Sequence, residues 1–111
     1  MTNYNRGAAF ERKVMKDLEG KGYCVIRSAG SHSPVDVVAC YWTLPGALFI
    51  QCKKDGRLDH GEWNELVDFA RNGGAMPVLA SDRRGGINYY QITDYKSGIK
   101  GAKAPKKELK L

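Results

Sequence analysis

Two short apolar runs in this chain carry polar side chains at positions their own pattern would bury. Val35-Asp36-Val37-Val38-Ala39 holds an acid near its start, and Phe49-Ile50-Gln51-Cys52-Lys53 brings in an amide and an amine. In a β-strand residues i and i+2 share a face. Gln51 and Lys53 therefore point one way, and Leu48, Ile50 and Cys52 the other. Burying such groups costs free energy unless they are paired or used. A carboxylate, an amide oxygen and a lysine held together can bind a divalent cation and stabilise a phosphoryl transition state.

Glu11 belongs to the same set. At about 100° per residue, Leu18 lies about 20° from it, Met15 about 40° and Val14 about 60°. Glu11 thus sits inside an apolar stripe, while Arg12, Lys13 and Lys16 point elsewhere. An ionised Glu aimed at a core needs a counter-charge, either an Arg or Lys at the core edge or a metal. Phosphodiester hydrolysis needs a cation that neutralises developing charge and acidifies an attacking water. Mg²⁺ takes a few oxygen ligands and keeps several waters. Asp36, the Gln51 side-chain oxygen and the Cys52 backbone carbonyl can serve as ligands, and Glu11 can hold a metal-bound water or a second ion. Lys53 can orient the nucleophile or stabilise the transition state.

The elements that must position these groups can be read from periodicity and breakers. Residues 5–21 have helical spacing and end at Gly22. Residues 23–28, 35–41 and 47–53 read as strands, with a Gly/Ser/Pro loop before the second and Leu44-Pro45-Gly46 as the turn before the third. A second helix is expected over about 60–72, with Asp59 as N-cap and Glu62 at the capping-box position. Its apolar face is Trp63, Leu66, Val67 and Ala70, and Gly73-Gly74 ends it. Residues 76–80 and 87–92 read as late strands around Arg83-Arg84-Gly85-Gly86. The expected order is α-β-β-β-α-β-β, an α/β fold with a mixed five-stranded sheet flanked by helices.

At 111 residues the chain is long enough for one core. No run approaches the roughly 20 apolar residues of a membrane span, and no signal-like segment opens the chain, so a cytoplasmic protein is expected, in a host's cytoplasm if a virus encodes it. Cys24, Cys40 and Cys52 are odd in number and lack a CxxC spacing. They read as reduced, buried thiols, with no disulfide framework and no zinc site. The net charge of +6 is uneven: residues 96–111 hold six lysines against Glu108, while residues 1–95 are nearly balanced. The expected organisation is therefore a domain over 1–95 and a mobile basic tail over 96–111. Such a tail suits a phosphate backbone or serves solubility alone.

The match goes beyond a lone acid and lysine. Arg6-Gly7-Ala8-Ala9-Phe10-Glu11-Arg12, then Val25-Ile26-Arg27-Ser28-Ala29-Gly30-Ser31, then Val35-Asp36-Val37-Val38-Ala39, resemble the archaeal-type Holliday junction resolvases. These belong to the PD-(D/E)xK nuclease superfamily. Leu66-Val67-Asp68-Phe69-Ala70-Arg71, Gly73-Gly74 and Pro77-Val78-Leu79-Ala80 also fit, so the resemblance covers about residues 4–95. It implies a restriction-endonuclease-like core and a homodimer that cuts four-way junctions symmetrically with Mg²⁺, Mn²⁺ being the alternative ion. It implies a catalytic centre of Glu11, Asp36, the position of Gln51, and Lys53. Arg12, Arg27 and Ser31 are implied to assist on DNA, and Arg6, Lys54, Arg83 and Arg84 complete the expected DNA contacts. The family usually has Glu where this chain has Gln51. An amide oxygen still coordinates a metal, but one negative charge is gone.

Two other readings compete: a flap, end or mismatch nuclease on the same fold, and a non-catalytic DNA-binding module. Retention of Glu11, Asp36 and Lys53 together favours catalysis. Arg83-Arg84 is either a phosphate clamp or a solvated hairpin tip. His32 reads as a loop histidine, and Tyr89, Tyr90 and Tyr95 as packing residues before base-stacking ones. Trp63 and Phe69 on the second helix, or a strand edge, are the candidate pairing surfaces.

Overall fold

The two helices bury the apolar stripes that the sequence marks, and they do so on opposite faces of one sheet. The computed structural model describes residues 3–28 and 33–111, with side chains from residue 7 onward. The elements run α1 (Asn3–Gly20), β1 (Cys24–Arg27), β2 (Val37–Cys40), β3 (Ala47–Cys52), α2 (His60–Asn72), β4 (Met76–Arg83), β5 (Gly86–Ile92) and β6 (Lys106–Leu109). α1 buries Phe10, Val14 and Leu18 against Val37, Ala39, Leu48, Ile50, Val78 and Ala80. α2 buries Trp63, Leu66 and Val67 against Leu79, Val35 and Ile92. The alternation of Val78 and Ala80 with Leu79 separates the two cores, giving an α/β/α sandwich. A helix of 13 residues is marginal alone. Burial of its three large apolar side chains, at about 1.5–3 kcal/mol each, holds it in place.

The caps follow the sequence. Asp59 Oδ1 accepts the Glu62 amide at 2.8 Å, closing the start of α2. α1 ends as a left-handed turn at Gly22 (φ +94), with Tyr23 N–H donating to Leu18 C=O and Gly22 N–H to Glu19 C=O. Tyr23 then packs on the core that contains Leu18. Among the described residues no helix is long and apolar enough to cross a membrane.

The sheet order is β1-β2-β3-β4-β5-β6. Only β3 and β4 are parallel, and α2 is the crossover between them. The sheet has six strands rather than the five expected, because residues 106–109 pair antiparallel with β5 from Tyr89↔Leu109 to Ile92↔Lys106. The segment expected as a loose tail is built into the fold. Lys96 Nζ donates to Leu58 C=O at 2.8 Å and lies over the Trp63 ring at 5.2 Å. Lys106 lies 4.2 Å from the Tyr90 ring centre, and Leu109 and Leu111 pack on the α1-side core. Both lysines place their ammonium groups over aromatic faces, a cation–π contact that ties this segment to the domain.

A second correction concerns the cysteines. Cys52 is half-buried, but Cys24 and Cys40 are exposed. They alternate with Val25 and Ala39, which face α1, so they face the α2 side. α2 packs on β3 and β4 at the centre of the sheet. The same face of β1 stays open, and Ile26 there is 67% exposed.

Removing residues 96–111 is therefore expected to cost fold stability. Loss of β6 and of the Leu109 and Leu111 packing predicts a destabilisation of about 2–4 kcal/mol. The thermal midpoint should fall by roughly 10 °C or more. An unchanged unfolding curve would show that the segment contributes nothing to the fold.

Candidate active site

β2 begins two residues after its apolar run does, because the regular ladder starts only after Asp36. The Asp36 N–H donates to Ile50 C=O at 2.8 Å, and its C=O accepts the Ser28 N–H at 2.9 Å. Beyond that point β3 runs on beside β4 alone, with Lys53 N–H bonded to Ala80 C=O at 2.9 Å. The Cys52 amide would be left facing the gap. Asp36 Oδ2 accepts it at 2.8 Å, so a carboxylate takes the place of the missing strand.

Around this fork lies an open cleft of about 1240 Å³. Glu11, Asp36, Gln51, Cys52 and Lys53 line one part of it. Lys13, Lys54, Asp82, Arg83 and Arg84 line the rest. The four residues picked out by pattern thus meet in one place, although they come from α1, the start of β2 and the end of β3. Glu11 Oε1 accepts from Arg27 Nε at 2.8 Å, and its side chain is 19% exposed. The core-edge arginine that was one of two ways to neutralise Glu11 is therefore present. Arg27 does not line the cleft but reaches it through this pair. Arg12 is exposed on α1 and is also outside the cleft lining. The Arg6 side chain, Ser31 and His32 lie outside the described residues.

Two features escaped the sequence reading. Glu62, read there as a capping-box acid, has its Oε2 3.1 Å from Lys53 Nζ. Its spacing from Asp59 was visible, but its approach to Lys53 depends on how α2 lies across the sheet. Lys13 was placed off the apolar stripe, yet its ammonium forms an ion pair with Asp82 on β4. That pair ties α1 to the hairpin whose two-residue turn, with Gly85 at φ +80, presents Arg83 and Arg84.

Residues 2–98 match the family described as archaeal Holliday junction resolvase (Hjc). The chain belongs to this family. It is 33% identical over 81 residues to a Methanocaldococcus jannaschii protein named crossover junction endodeoxyribonuclease Hjc. That match covers 69% of this chain but only 59% of the relative's length. The structure of Archaeoglobus fulgidus Hjc, described as a Holliday junction resolvase from an archaeal hyperthermophile, superposes with a TM-score of 0.66 at 30% identity. The superposition covers 76% of this chain and 74% of that one.

The electrostatics of the cleft centre on Asp36. Burial, helped by the nearby Glu11 charge and opposed by the Cys52 amide, Lys53 and Arg27, raises the Asp36 pKa from 3.8 to about 6. Two carboxylates beside an amide oxygen and a backbone carbonyl form a hard oxygen donor set. Consecutive N–H and C=O groups of one strand residue point the same way, so the Cys52 carbonyl faces the Asp36 side of β3. Among the described residues no three His, Cys, Asp or Glu side chains gather as a metal cluster. Any ion here must rely on neutral oxygens besides Asp36 and Glu11.

The raised Asp36 pKa has a stability signature. The folded protein holds this proton more tightly than the unfolded chain does, so the ionised carboxylate costs stability as pH rises from about 4 to about 6. In metal-free protein, Asp36→Asn keeps an acceptor for the Cys52 amide and removes the charge. Its stability relative to the unsubstituted protein should rise by about 1–2 kcal/mol across that window, after discounting for solvent screening of a half-buried group. Denaturant unfolding at pH 4 and pH 7.5 measures it, and a pH-independent difference would contradict the raised pKa.

Proposed function

We propose that this chain is a divalent-metal-dependent endonuclease that resolves four-way DNA junctions as a homodimer, with Mg²⁺ as its ion and Mn²⁺ as a substitute. The observation that carries the reading is the meeting of Glu11, Asp36, Gln51 and Lys53 in one cleft of a chain from this family. The names of its relatives point to the same substrate.

In this reading Asp36, Glu11, the Gln51 oxygen and the Cys52 carbonyl hold the ion. When bound, it supplies charge neutralisation at the scissile phosphate and an acidified water. Asp36 has to be ionised to bind, so a proton and the cation compete for its raised-pKa carboxylate. Arg27 holds the Glu11 side chain in place beside the cleft across their 2.8 Å contact. Lys53 donates hydrogen bonds to the reacting phosphate, and Glu62 holds its ammonium ready before DNA arrives. Lys54, Arg83 and Arg84 line the cleft and contact phosphates away from the cut. Arg12 and Ser31 are further DNA contacts by the family resemblance, and Arg6 by its charge.

Symmetric cutting requires two sites related by a two-fold axis. The open face of the sheet offers a surface for a second copy. Ile26 is the register partner of Val38, and Val38 of Phe49. Phe69, 47% exposed, packs on Phe49 with ring centres 5.8 Å apart. This apolar strip suits self-association. Trp63 is 1% exposed and belongs to the core, so it leaves the set of candidate pairing residues.

The test is a four-way junction, a flap and a linear duplex, each with Mg²⁺, Mn²⁺ or EDTA. Paired nicks at equivalent positions on opposed strands of the junction are expected with either ion and none in EDTA. Lys53→Ala should slow cutting by about 100-fold or more while junction binding persists. Cutting of flaps with intact junctions, or a protein that stays monomeric on junction DNA, would overturn the reading.

A further inference from the structure

The odd cysteine count conceals a pair. Cys24 and Cys40 are direct register partners in the antiparallel β1–β2 ladder. Directly opposed residues of such a ladder project to the same face. Both thiols are exposed there, at the end of the strands remote from Asp36. The pairing was invisible in the sequence because it depends on the β1–β2 register across a 16-residue separation, not on a short spacing.

The geometry meets most of what a disulfide requires. Opposed residues in an antiparallel pair have Cα atoms about 4.5 or 5.5 Å apart, according to the hydrogen-bond pattern. A disulfide accepts Cα separations of about 4.4–6.8 Å. Ser28 N–H donates to Asp36 C=O in the same register, so Cys24↔Cys40, four residues along, is a hydrogen-bonded pair with Cβ atoms about 5.5 Å apart, and closure to the roughly 3.5–4.5 Å of a bonded pair needs about 1–2 Å. Among the described residues β1 is an edge strand with β2 as its sole ladder partner, and an edge can make that adjustment. A bond closed under such strain is readily reduced again.

We propose that Cys24 and Cys40 form a redox modification site: they close a reversible disulfide across β1 and β2 by exchange with a low-molecular-weight disulfide. One thiolate attacks the small disulfide and releases its first thiol. The second thiolate then attacks the mixed disulfide and releases the other. Two protein thiols are oxidised, one small disulfide is reduced to two thiols, and no other reactant is needed. Cys52 takes no part, since it packs against the α1-side core and its amide is held by Asp36. The bond would fasten the edge strand that carries Arg27, and with it the Arg27–Glu11 pair, to the strand that begins beside Asp36.

The full chain is incubated with glutathione disulfide, denatured, alkylated at its remaining thiols and digested without reduction. One linked peptide pair joining Cys24 to Cys40 is expected, with loss of two hydrogens, one alkylated cysteine at Cys52, and monomer mobility on a non-reducing gel. Dithiothreitol should restore three free thiols. Cys40→Ser should trap Cys24 as the glutathione adduct, and β1 amide exchange should slow by about tenfold or more on oxidation of the unsubstituted protein. Stable glutathione adducts on both cysteines, bonds between copies, a link involving Cys52, or three thiols left unreacted would each overturn the proposal. None of these readouts depends on DNA cleavage.

Discussion

The bond from the Cys52 amide to the Asp36 carboxylate sits where β2 parts from β3, and the cleft is organised around it. A backbone N–H at that fork has lost its strand partner, and leaving it unmade in a half-buried position costs about 1–3 kcal/mol. A short acid at the last residue before the ladder can reach it, at 2.8 Å. The same contact fixes the carboxylate at the floor of the cleft. Burial and Glu11 then work against its charge. The other groups answer that charge: Arg27 pairs with Glu11, and Lys53, paired with Glu62, offsets part of the Asp36 charge. The floor of the cleft is acidic and its rim, with Lys13, Lys54, Arg83 and Arg84, is largely basic. That arrangement suits a cation below a polyanion.

Gln51 changes the balance at one point. An acid two residues before Lys53 would share its strand face and give the lysine a near counter-charge. With an amide there, the carboxylate that Lys53 meets comes from α2 instead, through Glu62. The N-terminal turn of α2, whose start is fixed by Asp59, is thereby coupled to the cleft.

The core of the site was legible because its signals are local conflicts. Asp36, Gln51 and Lys53 break strand alternation, and Glu11 breaks a helical stripe. Each conflict survives folding as a polar group at the edge of an apolar cluster. Helix positions and the Asp59 cap were legible for the same reason. What was not legible depends on tertiary register. Lys106-Lys107-Glu108-Leu109 has no strand-like alternation of its own, and it becomes β6 through pairing with β5 and the stacking of Lys106 on Tyr90. Cys24 and Cys40 sit in apolar runs, but neither helix packs over their face. The Lys13–Asp82 pair spans 69 residues, beyond any periodicity argument.

The central claim is that the Asp36 carboxylate is the anchor of a divalent-cation site. Calorimetric titration of Mn²⁺ and Mg²⁺ into the unsubstituted protein and into Asp36→Asn, without DNA, tests it most directly. Saturable binding is predicted for the unsubstituted protein, with a raised unfolding midpoint, and binding weaker by at least about 100-fold for Asp36→Asn, since loss of even an outer-shell partner typically costs 10–100-fold. Equal affinity in the two proteins, or no saturable binding in either, would contradict it.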